Sequence, residues 1–183
     1  MPLRFDPIGE ARRQWASHGW GDAAPAMAVV TSIMRVQQLL LARADAALRP
    51  FDLSFSRYEV LMLLSFSSRG ALPLGKIGER LQVNPASVTN AIHRLEDQGL
   101  VEREPNPTDG RGRLARLTDE GRARARAATD AMNAEVFGDF GLGAEGLGQL
   151  FGLLRDIRRA AGDFAEEPTG SVPSAVLRGM MRG

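Results

Sequence analysis

The stretch 72–118 constrains the fold more than any other part of the chain, because helix-like and strand-like patterns alternate in it over short distances. Three apolar residues at helical spacing mark a first short helix, namely Leu74, Ile77 and Leu81. Asn84 and Pro85 then break the pattern and predict a second helix, with asparagine as its N-cap and proline at its first position. Gly99 predicts the end of this second helix.

Two short strand-like segments follow, 101–103 and 113–117, and they can pair across the turn residues 106–112. A short hairpin beside a helix-turn-helix is a wing. The sequence therefore predicts a mainly α-helical protein with a small β-hairpin, a winged helix-turn-helix. This arrangement favours DNA binding, with one helix in the major groove and a cationic hairpin tip beside it.

The second helix has two different faces. Val88, Ile92 and Leu95 repeat on one side and are expected to pack inward. The opposite side carries short donors and acceptors with one cation, suited to base edges and phosphates: Ser87, Thr89, Asn90, His93 and Arg94. We expect Arg94 to contact phosphate. A solvated surface helix shows the same pattern, so a plain structural role for each residue stays open.

Composition limits the alternatives without choosing among them. The formal net charge is +1 and the sequence pI is about 8.4, which is weak evidence for a nucleic-acid partner. Arginines are nevertheless concentrated in and after the hairpin, at Arg111, Arg113, Arg116, Arg122, Arg124 and Arg126.

The chain has no cysteine, which excludes disulfides and thiolate sites. The strongly apolar run 60–64 is too short to span a bilayer, so no membrane partner and a cytoplasmic location are expected.

Long amphipathic patterns flank the winged region and predict N- and C-terminal dimerisation helices, with packing inside one chain as the alternative. The organisation predicted from these patterns has five parts: 1–21 as an N-terminal extension, 22–55 as a dimerisation helix and its connection, 56–118 as the DNA-binding region, 119–165 as C-terminal dimerisation helices, and 166–183 as a flexible tail. Ser56 and Glu59 match a capping box at the start of a central helix.

Three sequence segments together resemble the multiple antibiotic resistance regulator (MarR) family of bacterial winged helix-turn-helix regulators. The segments are the wing Asp109-Gly110-Arg111 with Leu114-Ala115-Arg116-Leu117-Thr118, the helix start Asn84-Pro85-Ala86-Ser87-Val88-Thr89, and the segment 95–103. The resemblance covers about 27–164. Ala115 stands where the family often has valine, and Asn90 and His93 stand where it often has arginine and aspartate. These departures bear on base preference.

The resemblance implies a homodimer that binds double-stranded DNA at a pseudo-palindromic site, with half-sites about 10 base pairs apart or a multiple of that. It also implies a ligand-responsive transcriptional regulator, a repressor released by a small aromatic or phenolic effector. In the wing, Arg111 is expected to enter the minor groove, with Arg113 close to it. Asp109 is expected to pair with a neighbouring arginine and fix the tip, and a plain Asp-Gly turn is the alternative.

The N-terminal extension combines aromatic faces with cations that could hold such an effector: Arg12, Arg13, Trp15, His18 and Trp20. Family members with an additional tryptophan-bearing N-terminal helix include urate-responsive repressors, which makes a purine-like ligand worth testing. The alternative is that the tryptophans only pin the extension to the protein.

An enzyme is not expected. The two histidines are isolated, and the sequence has no phosphate loop, dinucleotide fingerprint or metal-spaced ligand cluster, so no cofactor and no metal are expected. The remaining alternative is a winged-helix module that binds protein without specific DNA binding, because the fold does not fix the partner.

Overall fold

The computed structural model describes residues 3–106, 112–138 and 140–165, and its contacts divide the chain into two compact units, 1–46 and 47–183. The fold is mainly helical with a small antiparallel sheet, as the sequence predicted. The first unit holds α1 (Pro7–Trp15), a π-helical turn (Ala16–Trp20) and most of α2 (Ala24–Leu48). The second unit begins at the end of α2 and continues through a 3₁₀ turn (Arg49–Phe51).

The rest of the second unit alternates helices with short strands. Its elements are α3 (Phe55–Phe66), β1 (Ala71–Pro73), α4 (Leu74–Leu81), α5 (Pro85–Asp97), β2 (Val101–Pro105), β3 (Arg113–Leu117), α6 (Asp119–Met132), a π-helical turn (Asn133–Phe137) and α7 (Ala144–Ala160). The winged helix-turn-helix comprises α4, α5 and the hairpin of β2 and β3.

Local chemistry sets both ends of α5. The Asn84 side chain accepts a hydrogen bond from the Ser87 backbone N–H at 2.8 Å, and Pro85 stands at the first helical position, as predicted. At the other end Gly99 adopts a φ of +70°, which reverses the chain at little steric cost. The Leu100 N–H then donates to the Leu95 carbonyl at 2.9 Å, and the buried Leu100 side chain seals the helix end.

Helix α3 forms the centre of the second unit and contacts α4, α5, α6 and β3. Its buried side chains are Tyr58, Val60, Leu61 and Leu64. The Tyr58 and Thr129 hydroxyl groups lie 3.1 Å apart and join α3 to α6 by a hydrogen bond. The predicted capping box at Ser56 is wrong, because α3 begins two residues earlier in sequence than that motif requires. Ser54 is the N-cap, and its hydroxyl accepts from the Arg57 N–H at 3.5 Å.

The sheet has one strand more than the predicted hairpin. The order is β1-β3-β2, all antiparallel, and Ala115 of β3 faces Leu72 of β1 on one side and Arg103 of β2 on the other. The Asn106 N–H donates to the Gly112 carbonyl at 3.1 Å and closes the hairpin below its tip. The wing residues Asp109 and Arg111 lie outside the described residues, as does the predicted tail 166–183.

The N-terminal extension contains a helix, α1, that was not predicted from the sequence. The Asp6 carboxylate caps α1 by accepting from the Ile8 N–H at 3.0 Å. The helix continues into the π-helical turn, where Gly19 has a φ of +90°. This left-handed conformation favours glycine and interrupts the helical path before α2 begins.

Many large apolar side chains of α2, of the segment between α6 and α7 and of α7 itself are exposed in the single chain. They are Val29, Val30, Ile33, Met34, Val36, Leu39, Leu41, Phe137, Leu142, Leu147, Phe151, Leu153 and Ile157. Within the described ranges, the stretch Ala24–Phe51 is long and apolar enough to cross a membrane. Length and composition alone are weak evidence for a membrane span, because helices of water-soluble proteins pass the same test.

Candidate nucleic-acid interface

Helix α5 presents the polar face that the sequence predicted. Val88, Ile92 and Leu95 are buried, and they fix the rotation of the helix about its axis. The five residues of α5 that were predicted to contact DNA are all exposed on the remaining surface: Ser87, Thr89, Asn90, His93 and Arg94. A helix anchored in this way can place its polar side chains against an external surface without losing its apolar contacts.

Two of these five side chains are already engaged within the helix. The Thr89 hydroxyl donates to the Pro85 carbonyl at 2.9 Å, and His93 Nδ1 lies 3.0 Å from the Asp97 carboxylate. In the part of the chain that the structure describes, the Asn90 amide and the Arg94 guanidinium have neither a hydrogen bond nor an ion pair. Their donors and acceptors are therefore available to a ligand.

An open cleft of about 720 Å³ runs between α5 and the first turn of α3. One wall carries Ser87, Asn90 and Arg94, and the other carries Ser56 and Arg57. Its remaining lining includes apolar side chains of the helix-turn-helix and three acidic residues: Val60, Leu81, Val83, Val88, Asp52, Glu59 and Asp97. Burial raises the pKa of Glu59 above its ordinary value. Sequence reasoning missed Arg57, because only the tertiary fold brings α3 beside α5.

Arg116 of the predicted basic surface, together with Arg103, holds the wing together. Arg116 Nε on β3 donates to the Glu104 carboxylate on β2 at 2.6 Å, and Arg103 on β2 donates to Glu96 at the end of α5. These pairs clamp the hairpin strands to each other and to α5. Arg113, the first residue of β3, is exposed and, unlike Arg116, has no ion pair with another described residue.

The two wing pairs have a defined pH dependence. The hydrogen bond from Arg103 lowers the pKa of Glu96, and the hydrogen bond from Arg116 lowers the pKa of Glu104. A carboxylate whose pKa is depressed in the folded state stabilises the fold above its unfolded pKa. This contribution is lost as the pH falls through the lowered values, so the wing clamp is present at neutral pH and weakens in acid.

The aromatic residues of the N-terminal extension lie together. The Trp15 and Trp20 rings are 5.1 Å apart, and the His18 ring stacks at 6.3 Å from Trp20. An open cleft of about 350 Å³ beside the tryptophans is lined in addition by Gly19, Asp22 and Ala23. The predicted cations are placed differently: Arg13 pairs with Glu10 at 2.6 Å, and neither Arg12 nor Arg13 lines this cleft.

Comparisons with known proteins agree with this architecture. The family model described as MarR family matches residues 53–112. The crystal structure of Sco5413, a MarR family transcriptional regulator from Streptomyces coelicolor, matches the fold with a TM-score of 0.71. The two sequences are 52% identical, and the match covers 78% of this chain and 99% of that chain. Sco3205, a MarR family regulator from the same organism solved in complex with DNA, is 28% identical, with coverage of 72% and 84% and a TM-score of 0.65.

A third relative carries a functional name. The HTH-type transcriptional repressor Rv2887 of Mycobacterium tuberculosis is 33% identical over 107 residues, which are 57% of this chain and 76% of the relative. The chain therefore belongs to the MarR family of transcriptional regulators. It is a regulator and not an enzyme. Within the described residues, no group of three or more histidine, aspartate or glutamate side chains is placed to hold a metal ion.

Proposed function

We propose that this chain is a homodimeric, cytoplasmic repressor that binds a pseudo-palindromic DNA operator and is released from it by a small aromatic or phenolic effector. The exposed polar face of α5, backed by three buried apolar residues, is the observation that carries the DNA-binding part of this proposal. The complex of Sco3205 with DNA and the repressor name of Rv2887 support it.

In this proposal α5 enters the major groove with its N-terminal half against the bases. The Asn90 amide offers a donor and an acceptor in the arrangement that pairs with an adenine edge. Arg94 contacts a phosphate, and Ser87, Thr89 and His93 complete the surface. Arg113 and the wing tip extend towards the adjacent minor groove.

Replacing Arg111 by alanine is expected to weaken binding to the specific duplex by about 1–3 kcal/mol, because a minor-groove arginine loses its contact with negative potential. Titration of a labelled duplex at fixed salt measures this. Unchanged thermal unfolding would show that the fold survives. Equal affinities of the variant and the parent would mean that the wing tip does not contact DNA.

The exposed apolar faces of α2 and α7 support a homodimer. A monomer would leave these side chains in water, whereas a second copy can bury them, and apolar burial is worth about 25 cal/mol per Å². We assign the apolar length of α2 to this interface and not to a membrane. Two α5 helices related by a two-fold axis would then read half-sites about 10 base pairs apart or a multiple of that.

The effector part rests on the aromatic cluster. Trp15, Trp20 and His18 form a concentration of π-faces next to an open cleft, which suits a planar aromatic ligand. Arg13 is held by Glu10, and neither Arg12 nor Arg13 lines this cleft, so one of these side chains would have to move towards a carboxylate of the ligand. The ligand set of the proposal remains Arg12, Arg13, Trp15, His18 and Trp20.

Tryptophan emission should change when an aromatic carboxylate or urate that releases DNA is added. The chain has two tryptophans, both in this segment, so the signal reports this site alone. Deleting residues 1–21 should abolish the release of DNA. If the truncated protein still releases DNA at the same ligand concentration, the effector site lies elsewhere.

Selection of bound genomic fragments tests the regulator proposal as a whole. A repressor should enrich fragments with related half-sites, and binding should weaken steeply with salt because phosphate contacts release counterions. A protein-interaction module, the alternative, should enrich no fragment and should instead pair with a protein in a salt-insensitive manner.

A further inference from the structure

We propose that the cleft between α3 and α5 receives one backbone strand of the bound DNA, and that Arg57 joins Arg94 there in holding a phosphodiester. This inference rests on the proposed DNA binding and adds Arg57, a contact outside α5 and the wing. The ligand class is the phosphodiester group of duplex DNA.

The guanidinium groups of Arg57 and Arg94 differ from those of other arginines in the same unit by their partners. Arg57 Nε donates to the Ser54 hydroxyl at 3.3 Å, which holds this half-buried side chain at the start of α3. Within the described ranges neither Arg57 nor Arg94 forms an ion pair. Other arginines of the same unit do, for example Arg103 with Glu96 and Arg116 with Glu104. The cleft therefore contains two cations that form no ion pair within the described residues.

The three carboxylates that line the cleft either interact with side chains other than Arg57 and Arg94 or are partly buried. The Gln98 amide donates to the Asp52 carboxylate at 2.7 Å, and Asp97 pairs with His93. Glu59 is half-buried and has no ion pair with another described residue. An anion that enters between Arg57 and Arg94 would thus meet the available donors of the cleft.

The cleft lies along one flank of α5. Ser87, Asn90 and Arg94 lie on one flank of the exposed face, and this flank forms a wall of the cleft. When a helix occupies the major groove, its flanks stand beside the two backbone strands, because the groove is about 12 Å wide and a helix nearly fills it. A backbone strand beside this flank would lie in the cleft.

The first turn of α3 adds a third source of donors. The backbone N–H group of Ser56 precedes the first intrahelical hydrogen bonds of a twelve-residue helix. N–H groups at this position, together with the helix dipole, favour phosphate oxygens. The Ser56 hydroxyl lines the same cleft and is exposed. Arg57 thus reaches the phosphate as part of a helix start and not as an isolated surface charge.

The test compares Arg57→Gln with the unaltered full-length protein on a site-bearing duplex and on an unrelated duplex, over a series of salt concentrations. Each lost phosphate contact should reduce the slope of log affinity against log salt by about 0.9 per subunit, which corresponds to roughly eightfold in affinity for a tenfold salt change. The loss should be similar on both duplexes, because phosphates carry no sequence information. Arg57→Lys keeps the charge and should restore most of the slope.

Arg4→Gln, ahead of α1, is the matched control, since it removes the same charge from an exposed position that does not line the cleft. It should leave the slope unchanged. An Arg57→Gln protein that binds with the parental slope, or an Arg4→Gln protein that loses as much, overturns the proposed phosphate contact of Arg57 and Arg94, while specific binding by the parent still supports the regulator. If the parent itself binds no duplex, the proposed function and this phosphate contact both fail. Should Arg57→Gln unfold, an unchanged slope for Arg94→Gln also overturns the phosphate contact.

Discussion

Replacing Phe151 by aspartate is expected to separate the dimer and to lower specific operator affinity by at least about 100-fold. Phe151 is 66% exposed in the single chain, and Leu153 and Ile157 on the same helix are 64% and 50% exposed. The substitution therefore costs the isolated subunit little. In a dimer, however, it would bury an unpaired carboxylate in an apolar interface, at a cost of several kcal/mol.

The loss of DNA affinity follows from the loss of the second half-site. A separated subunit keeps α5 and the wing, but its binding should fall towards the weak, salt-dependent level of one module. Analytical ultracentrifugation at micromolar concentration and duplex titration measure the two effects. Gln149→Asp introduces the same charge at an exposed polar position of α7 and should change neither. A dimeric Phe151→Asp protein with normal operator binding would rule out α7 as the interface.

The fold could be predicted where short-range chemistry determines it. Asn84 and Pro85 start α5, and Gly99 ends it, because a cap, a fixed φ and a left-handed residue each act within one helical turn. The start of α3 was misplaced, since Ser54 and Ser56 both offer a hydroxyl and the choice depends on packing. Strand β1 was missed because three residues carry little pattern until β3 lies beside them.

In the candidate site, too, the features set by residues close in sequence could be predicted, and those set by distant partners could not. The exposed face of α5 could be predicted from periodicity, because its buried face is a simple apolar repeat. The roles of individual arginines could not, since they depend on partners distant in sequence. The sequence places Arg116 in the basic surface, but in the structure it is bound to Glu104. Arg57 has no sequence signal, yet it lines the cleft with Arg94.

Gly121 at the start of α6 is expected to tolerate no side chain at all. A Cβ atom built on Gly121 would lie 2.1 Å from the Leu100 carbonyl oxygen and 2.9 Å from a Leu117 methyl group. The oxygen cannot easily move, because it accepts the Thr118 N–H at 3.1 Å where the hairpin passes into α6. Gly121→Ala should therefore destabilise the protein by at least about 1–3 kcal/mol, the usual cost of overpacking a core.

The direction of the change in folding stability distinguishes a steric clash from the ordinary effect of this substitution. An alanine in place of glycine within a helix normally stabilises it, by up to about 1 kcal/mol, so only the steric clash can reverse the effect. Gly75→Ala on α4 is the control, since nothing lies within 4 Å of its Cβ position. For a chain of this length each kcal/mol corresponds to about 2–4 °C in Tm. A Gly121→Ala protein that melts at or above the parental temperature would show that α6 does not begin against the Leu100 backbone, and that the base of the wing is packed differently from the structure described above.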